Sequence, residues 1–472
     1  MSEYDAVVVG SGPNGLMAAI TMARAGRRTV VFEAASTPGG GSRSAALTDA
    51  GYLHDVCSSV HPTALASPAF ATVPLAERGV EWCHPEIALA HPLADGRAAL
   101  VHRSVEETAR GLGADADAYR SFFGRFVPHA SAVSETLLSP FGVPRAPVTM
   151  ARFGLDAIRS VQGLTAHRFA GDEARAILAG TAAHSMVRLD AAGTAGYGMF
   201  LTLLAHAVGW PVAAGGSQRI TDALVAELES HGGEVVTDHE VRALADLPPA
   251  RSVLLDITPR QLLALGGDRV PGRYRRTLRR YRYGPGVFKI DWALAGPVPW
   301  ANPEVGRAAT VHLGGTVSEI AAAEAEVVAG RLPERPFVIF VQATVADPTR
   351  APDGRHTGWA YCHVPHGSTV DRTDAIEAQV ERFAPGFRDT ILARHTVHAA
   401  GMEAYDANYV GGDINGGAGT LRQVFTRPSV SVRPWVTPIP GTYLCSSATP
   451  PGGGVHGMCG WHAARAALRR DA

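Results

Sequence analysis

Between Tyr4 and Glu33 the chain reads YDAVVVGSGPNGLMAAITMARAGRRTVVFE, and no other stretch limits its fold as much. Ala6 to Val9 is an apolar run, as a parallel strand covered on both faces requires. It leads into Gly10-Ser11-Gly12-Pro13-Asn14-Gly15, a G-x-G-x-x-G turn. Leu16 to Ala25 has helical composition, and Gly26 closes it. Thr29 to Phe32 is a second apolar strand, ended by Glu33, 18 residues after Gly15. Each part has a task in dinucleotide binding. Gly10 permits the tight turn, Gly12 lets the backbone approach a pyrophosphate, and Gly15 lets helix and strand pack closely. With Pro13 and Asn14 at its start, the helix offers free N–H groups and a partial positive charge to phosphates. Glu33 is placed to accept hydrogen bonds from a ribose diol, and its charge would repel a 2′-phosphate. A lone glycine turn would say little; strand, turn, helix, strand and acid in this order point to a Rossmann-type α/β domain.

At 472 residues the chain is long enough for two domains with sizeable cores. With 46% hydrophobic and 18% charged residues it has the composition of a soluble α/β protein. A net charge of −1 gives no global field for nucleic acid or acidic membranes. Cys57, Cys83, Cys362, Cys445 and Cys459 are odd in number, scattered and without a C-x-x-C. That pattern predicts a reducing compartment and neither a zinc site nor a redox dithiol. No signal peptide precedes the first strand and no apolar run is long enough to span a bilayer, so a cytoplasmic protein, at most peripheral to a membrane, is expected. Of 43 basic residues only Lys289 is a lysine.

Behind Glu33 follows AASTPGGGSR, ending at Arg43. A glycine run here suits a loop under a cofactor longer than a nicotinamide half, with Gly40 and Gly41 close to it and Arg43 reaching a phosphate. Residues 51–68 mix His54, Asp55, Ser58, Ser59 and His61 with small residues. They read equally as a loop turned toward a site and as a set of satisfied structural polar groups. From about Ala76 to Val208 the pattern is mostly helical. Its charge-poor stretch from Gly193 to Val208 reads as a core helix before it reads as the wall of a tunnel. At Trp210 α/β character returns, with strands and turns as far as Thr258-Pro259. The segment Arg273 to Tyr283, RYRRTLRRYRY, allows a patch for a membrane surface or an anionic partner, and a solvated helix face is the favoured reading. Gly286 to Leu294 alternates as a strand, with Phe288, Ile290 and Trp292 on one side and Lys289 and Asp291 on the other. A lysine kept among arginines suggests a need for a compact ammonium, and a structural ion pair is the competing explanation. Near the end, TYLCS is a short strand, followed by a glycine-rich turn through Gly453, Gly454, Val455 and His456 and a closing helix. That turn is able to set backbone N–H groups against the far end of the same ligand.

Taken together, DAVVVGSGPNGL, Glu33, PGG, Gly51 to Asp55, the Gly215-Gly216 and Gly232-Gly233 turns and YLCSSATPPGGGVHGMCG resemble the phytoene-dehydrogenase-like flavoproteins. That group includes carotenoid desaturases and isomerases and retinol saturases, with amine oxidases as more distant relations. The resemblance implies FAD held by a discontinuous Rossmann-type domain, with a mixed-sheet and helical substrate domain over the flavin. It implies FAD-binding segments at 1–75, 212–262 and 431–472 and substrate segments at 76–211 and 263–430, and it places Val241 on the cofactor. The activity implied is dehydrogenation, desaturation or saturation at C–C bonds of a small apolar substrate, isoprenoid or lipid. Oxygen, a quinone or a nicotinamide would serve as redox partner, and no nucleic acid is involved. A redox-neutral isomerase, an amine oxidase and a non-catalytic flavin scaffold are the alternatives. Two departures stand out: Gly41-Ser42 intervene before Arg43, and His456 replaces the usual proline. His456 is therefore the first choice for a proton-handling or substrate-orienting group, with Asp55 and Lys289 after it.

Overall fold

The Ala6–Val9 strand lies at the centre of a five-stranded parallel sheet in the computed structural model, which describes residues 4–139 and 142–471. It pairs with Thr29–Phe32 on one side and Ser252–Leu255 on the other. Glu234–Val236 and Thr442–Leu444 form the edges. The sheet thus collects strands from three distant stretches of chain, and its all-apolar central strand is covered on both faces. One face carries the Pro13–Arg24, Gln218–Ser230 and Met458–Asp471 helices. At the crossing of the first and last, a Cβ on Gly460 would lie 1.7 Å from the Asn14 carbonyl oxygen, so only glycine allows that approach. The other face buries Val7, Val9, Val30, Phe32 and Leu255 against Leu262, Val270 and Ile439.

A second sheet has seven strands, in the order Ile391–Val397, Gly286–Leu294, His356–Val364, Val338–Val341, Ala308–Leu313, Ile87–Pro92 and Ala98–Val101. It is antiparallel except where Ala308–Leu313 runs parallel to Ile87–Pro92. The last two strands correct the mostly helical expectation for 76–208. IALAHP and AALV are rich in alanine, which favours a helix locally. Their burial against a sheet edge decides otherwise. Alternation in Gly286–Leu294 is as expected: Phe288, Ile290 and Trp292 enter one apolar core, away from Lys289 and Asp291.

Helices of the 105–207 region cover the second sheet. Thr194–Ala207 buries Ala195, Met199 and Leu203 in a second core, with Val287, Ile339 and Tyr361 of that sheet. The charge-poor stretch is therefore a core helix. The basic segment is an anchored, solvated face: Tyr281 Oη donates to the Gly416 carbonyl at 2.7 Å and Tyr283 Oη accepts from the Arg260 N–H at 3.1 Å. Arg273, Arg276, Arg279, Arg280 and Arg282 stay exposed. No helix among the described residues is long and apolar enough to cross a membrane.

Candidate cofactor and substrate site

A cavity of about 740 Å³ draws its walls from both sheets. Specific ligands of cofactor size occupy cavities of about 300–1,000 Å³. Gly10, Gly12, Pro13 and Asn14 line it at the end of the Ala6–Val9 strand, and Glu33 at the end of the next. Gly40, Gly41 and Arg43 supply its floor, Val241 a side, and Gly454 and Val455 the part nearest the C-terminal helix. Gly15 and Gly453 do not line it; Gly453 packs instead against Asn415.

The glycine turn has the close packing that its sequence demands. Gly10 has φ +95°, and a Cβ on Gly15 would fall 2.0 Å from the Gly10 carbonyl oxygen. One expectation needs correction, because the Gly15 N–H is not free for a phosphate. It donates to Asp256 Oδ2 at 2.9 Å. Burial pushes the Asp256 carboxyl up to about 8, with the Asp406 and Glu33 carboxylates adding to the effect. Sequence reasoning passed over Asp256; an acid closing the apolar run Val253–Leu255 was the available signal.

Glu33, expected to accept from a ribose, has its oxygens already engaged within the protein. Oε2 accepts from the Ser11 N–H at 3.0 Å and Ser11 Oγ at 2.5 Å, and Oε1 from the Ala35 N–H at 2.9 Å and Arg43 Nη2 at 3.1 Å. Arg43, expected to reach a phosphate, neutralises Glu33 instead. Its Nε donates to the Thr37 carbonyl at 2.9 Å and its guanidinium lies over the Tyr405 ring. A buried carboxylate requires a partner, and Arg43 is the cation within reach.

The three residues chosen for catalysis all lie outside the cavity lining. His456 Nδ1 accepts from the Met458 N–H at 3.1 Å, capping the last helix, and burial lowers its pKa to about 4. Asp55 is spent on structure: Oδ2 accepts from Arg350 Nη1 at 3.1 Å and Ser59 Oγ at 2.8 Å, Oδ1 from the Ser217 N–H at 2.8 Å and Ser44 Oγ at 2.7 Å. His61 likewise bonds Ser217 Oγ, while Ser58 and Ser59 do reach the cavity. Lys289 pairs with Asp291, both nearly devoid of exposure. The His395 and His54 rings approach the same carboxylate at 3.5 and 3.7 Å. Lys289 Nζ sits 5.8 Å from the Trp359 ring centroid, and it is Trp359 that faces the cavity. Lys289→Arg is therefore expected to lower stability by about 1–3 kcal/mol through overpacking. Any catalytic turnover should stay near wild type. Thermal denaturation beside an activity assay checks this, and lost turnover at unchanged stability would put the ammonium in the chemistry.

Ile339, Trp359, Tyr361 and Ile414 make the wall remote from the glycine turn. The Trp359 and Tyr361 rings meet edge to face, 5.3 Å apart. His184 is the polar residue among them that backs onto a buried chain. Its Nε2 bonds His312 Nε2 at 3.1 Å, and His91 Nε2 bonds the Gly315 carbonyl at 2.7 Å. Among the described residues the Nδ1 atoms of His312 and His91 have no hydrogen-bond partner, and both border the space left by Gly180, where a Cβ would lie 2.6 and 3.1 Å from them. Burial lowers His184 to about 3, His91 to about 4 and His312 well below its ordinary value, so all three rest as neutral imidazoles, each with one donor and one acceptor nitrogen. Sequence alone gave no reason to join positions so far apart.

Among the described residues, three that line the cavity carry buried polar atoms without a hydrogen-bond partner: Asn14 Oδ1, Ser42 Oγ and Asn408 Oδ1. Buried polar groups in folded proteins are nearly always bonded, so these suit a ligand rich in hydroxyl groups, such as a ribose or ribityl chain. Residues 8–72 match the NAD(P)-binding Rossmann-like domain. Over 99% of its length the chain is 25% identical to 94% of rat (Rattus norvegicus) pyridine nucleotide-disulfide oxidoreductase domain-containing protein 2. Its fold is shared with an oxidoreductase from Methanosarcina mazei, with a TM-score of 0.65 at 15% identity, covering 98% of this chain and 99% of that one. Putrescine oxidase in its putrescine-bound form gives 0.62 at 17% identity, covering 99% of each chain. The chain therefore has the fold of these enzymes, with a Rossmann-like dinucleotide domain at its start.

Proposed function

We propose that the protein is an FAD-dependent oxidoreductase acting on C–C bonds of a small to medium apolar substrate, isoprenoid or lipid. One observation carries this reading: a single cavity runs from the dinucleotide turn to the Ile339, Trp359, Tyr361 and Ile414 wall. Its extension to the C-terminal Gly454–Val455 turn favours a cofactor longer than one nucleotide-binding half. Gly10, Gly12, Asn14 and Glu33 would hold the adenosine and phosphates, and Asn408, Gly454 and Val455 the remainder. FAD would supply the hydride acceptor or donor. The chain would exclude water with its aromatic wall, orient an apolar substrate there, and present His184 as a neutral imidazole at that wall.

Amine oxidation is a second reading, favoured by the Trp359–Tyr361 pair, since aromatic faces attract cations. The lining carboxylates Glu33, Glu240, Asp256 and Asp406 cluster with the dinucleotide turn rather than at that pair. An apolar substrate is thus preferred. Acid precipitation should release a yellow, non-covalent flavin identified as FAD by mass. Anaerobic mixing with lipids, isoprenoids and amines should bleach it only with the apolar set; bleaching by amines alone would reverse the choice. Glu33→Ala should weaken FAD binding by roughly 1.5–3 kcal/mol, through lost charged hydrogen bonds. An unchanged dissociation constant would remove Glu33 from the site.

A further inference from the structure

Asp256 occupies the inside of the glycine turn. Its Oδ2 takes the Gly15 N–H at 2.9 Å and lies 2.8 Å from where a Cβ on Gly12 would be. That is where helix-start amides converge on a phosphate, and Asp256 itself lines the cavity. The groups that face it are acids. Asp406 comes from the second sheet's side of the cavity: its Oδ2 is 3.4 Å from the Cβ position of Gly40, itself 3.4 Å from the Gly12 Cα. Glu33 approaches from the neighbouring strand. From the C-terminal strand and helix come the thiols of Cys445 and Cys459, which burial keeps neutral. Asn408 Nδ2 donates to the Asp256 carbonyl at 2.9 Å. Arg43, the cation lining this end, is bound to Glu33 and Thr37.

An ionised Asp256 in this position would repel a pyrophosphate, whose two charges must lie beside it. A neutral carboxyl would accept from Gly15 through one oxygen and offer a proton through the other. We propose that Asp256 is a protonated carboxyl that donates a hydrogen bond to the cofactor's pyrophosphate, so that cofactor binding takes up a proton in alkaline solution. The inference rests on the FAD reading above and assigns the acid beneath the glycine turn to recognition of the phosphates. Burial, which raises this carboxyl to about 8, supports it. The sign follows from linkage: the anion binds the protonated form, so affinity is full below the free-state pKa and falls as pH rises through it.

The test titrates full-length, cofactor-stripped protein with FAD between pH 6.5 and 9, read by flavin fluorescence. The diphosphate of FAD keeps its charge over this range. Wild-type Kd should be level near pH 7 and rise toward about tenfold per pH unit above about 8. Asp256→Asn, which keeps an acceptor for Gly15 and a donor for the phosphate, should bind with a level profile. A second measurement needs no variant: mixing wild type with FAD at pH 8.5 in weak buffer should take up most of one proton per FAD bound. FAD binding with a level wild-type profile, without proton uptake, or with the wild-type slope retained in Asp256→Asn overturns the proposal alone. No FAD affinity at any pH overturns the cofactor reading and the proposal with it.

Discussion

Arg350→Ala is expected to destabilise the protein by about 3–5 kcal/mol, the effect of removing one partner from a buried ion-pair network. Arg350 is fully buried. Its Nη1 donates to Asp55 Oδ2 at 3.1 Å, its Nε to Asp347 Oδ2 at 2.8 Å and its Nη2 to the Ala213 carbonyl at 3.0 Å. Without it two buried carboxylates would share one site with no cation. Asp347 Oδ2 also takes the Gly215 N–H at 2.8 Å, so the network ties the 44–59 loop and the 213–217 turn to the second sheet. Burial alone would raise the Asp55 pKa, but Arg350 and hydrogen bonds from Ser217, Ser44 and Ser59 outweigh it and hold the carboxyl below its ordinary value of 3.8. A depressed pKa stabilises the folded state above that ordinary value, and this contribution is lost as pH falls through the folded-state value. Urea denaturation at pH 7 should show the loss in Arg350→Ala, with flavin content per folded molecule little changed. A loss below about 1 kcal/mol, with flavin reduction abolished, would return Asp55 to the chemistry, with Arg350 as its partner.

Gly15→Ala is expected to abolish cofactor binding and much of the folded population together. Its Cβ would lie 2.0 Å from the Gly10 carbonyl oxygen, a backbone atom held by the parallel sheet, and 3.1 Å from Asp256 Oδ2. Neither can retreat without opening the contact between the Ala6–Val9 strand and the Pro13–Arg24 helix. Overpacking of this kind typically costs about 1–3 kcal/mol, and a rigid backbone clash falls at or above that limit. FAD affinity reduced by at least about a hundredfold, beside a lowered melting temperature, is the expected result. Gly154→Ala is the control: Gly154 also lies in a helix, has no positive φ, and no atom lies within 4 Å of its Cβ position. Wild-type affinity in Gly15→Ala would mean that the turn does not hold the dinucleotide.

Local patterns determined the dinucleotide half, because there the constraints act between neighbours in sequence. An all-apolar strand must be central, a glycine with positive φ must turn, and an acid ending the next strand must face the same edge. Gly10, Gly12, Asn14, Glu33 and Gly454 were therefore singled out by local pattern, and they line one cavity, as does Val241, which only the family resemblance pointed to. The strand phase of Lys289 and Asp291 was legible for the same reason, since alternation is a local property. Tertiary structure alone decided which polar groups are structural. Asp55 and His456 carry the residue types of catalysis, but Arg350, 295 positions from Asp55, and the helix start at Met458 claim them. Asp256 is assigned by its contact with Gly15, 241 positions away, and His184 by its bond to His312, 128 positions away. Burial and pairing across such separations depend on how the two sheets meet, and a buried charge or imidazole takes its chemistry from those distant partners rather than from its neighbours in the chain.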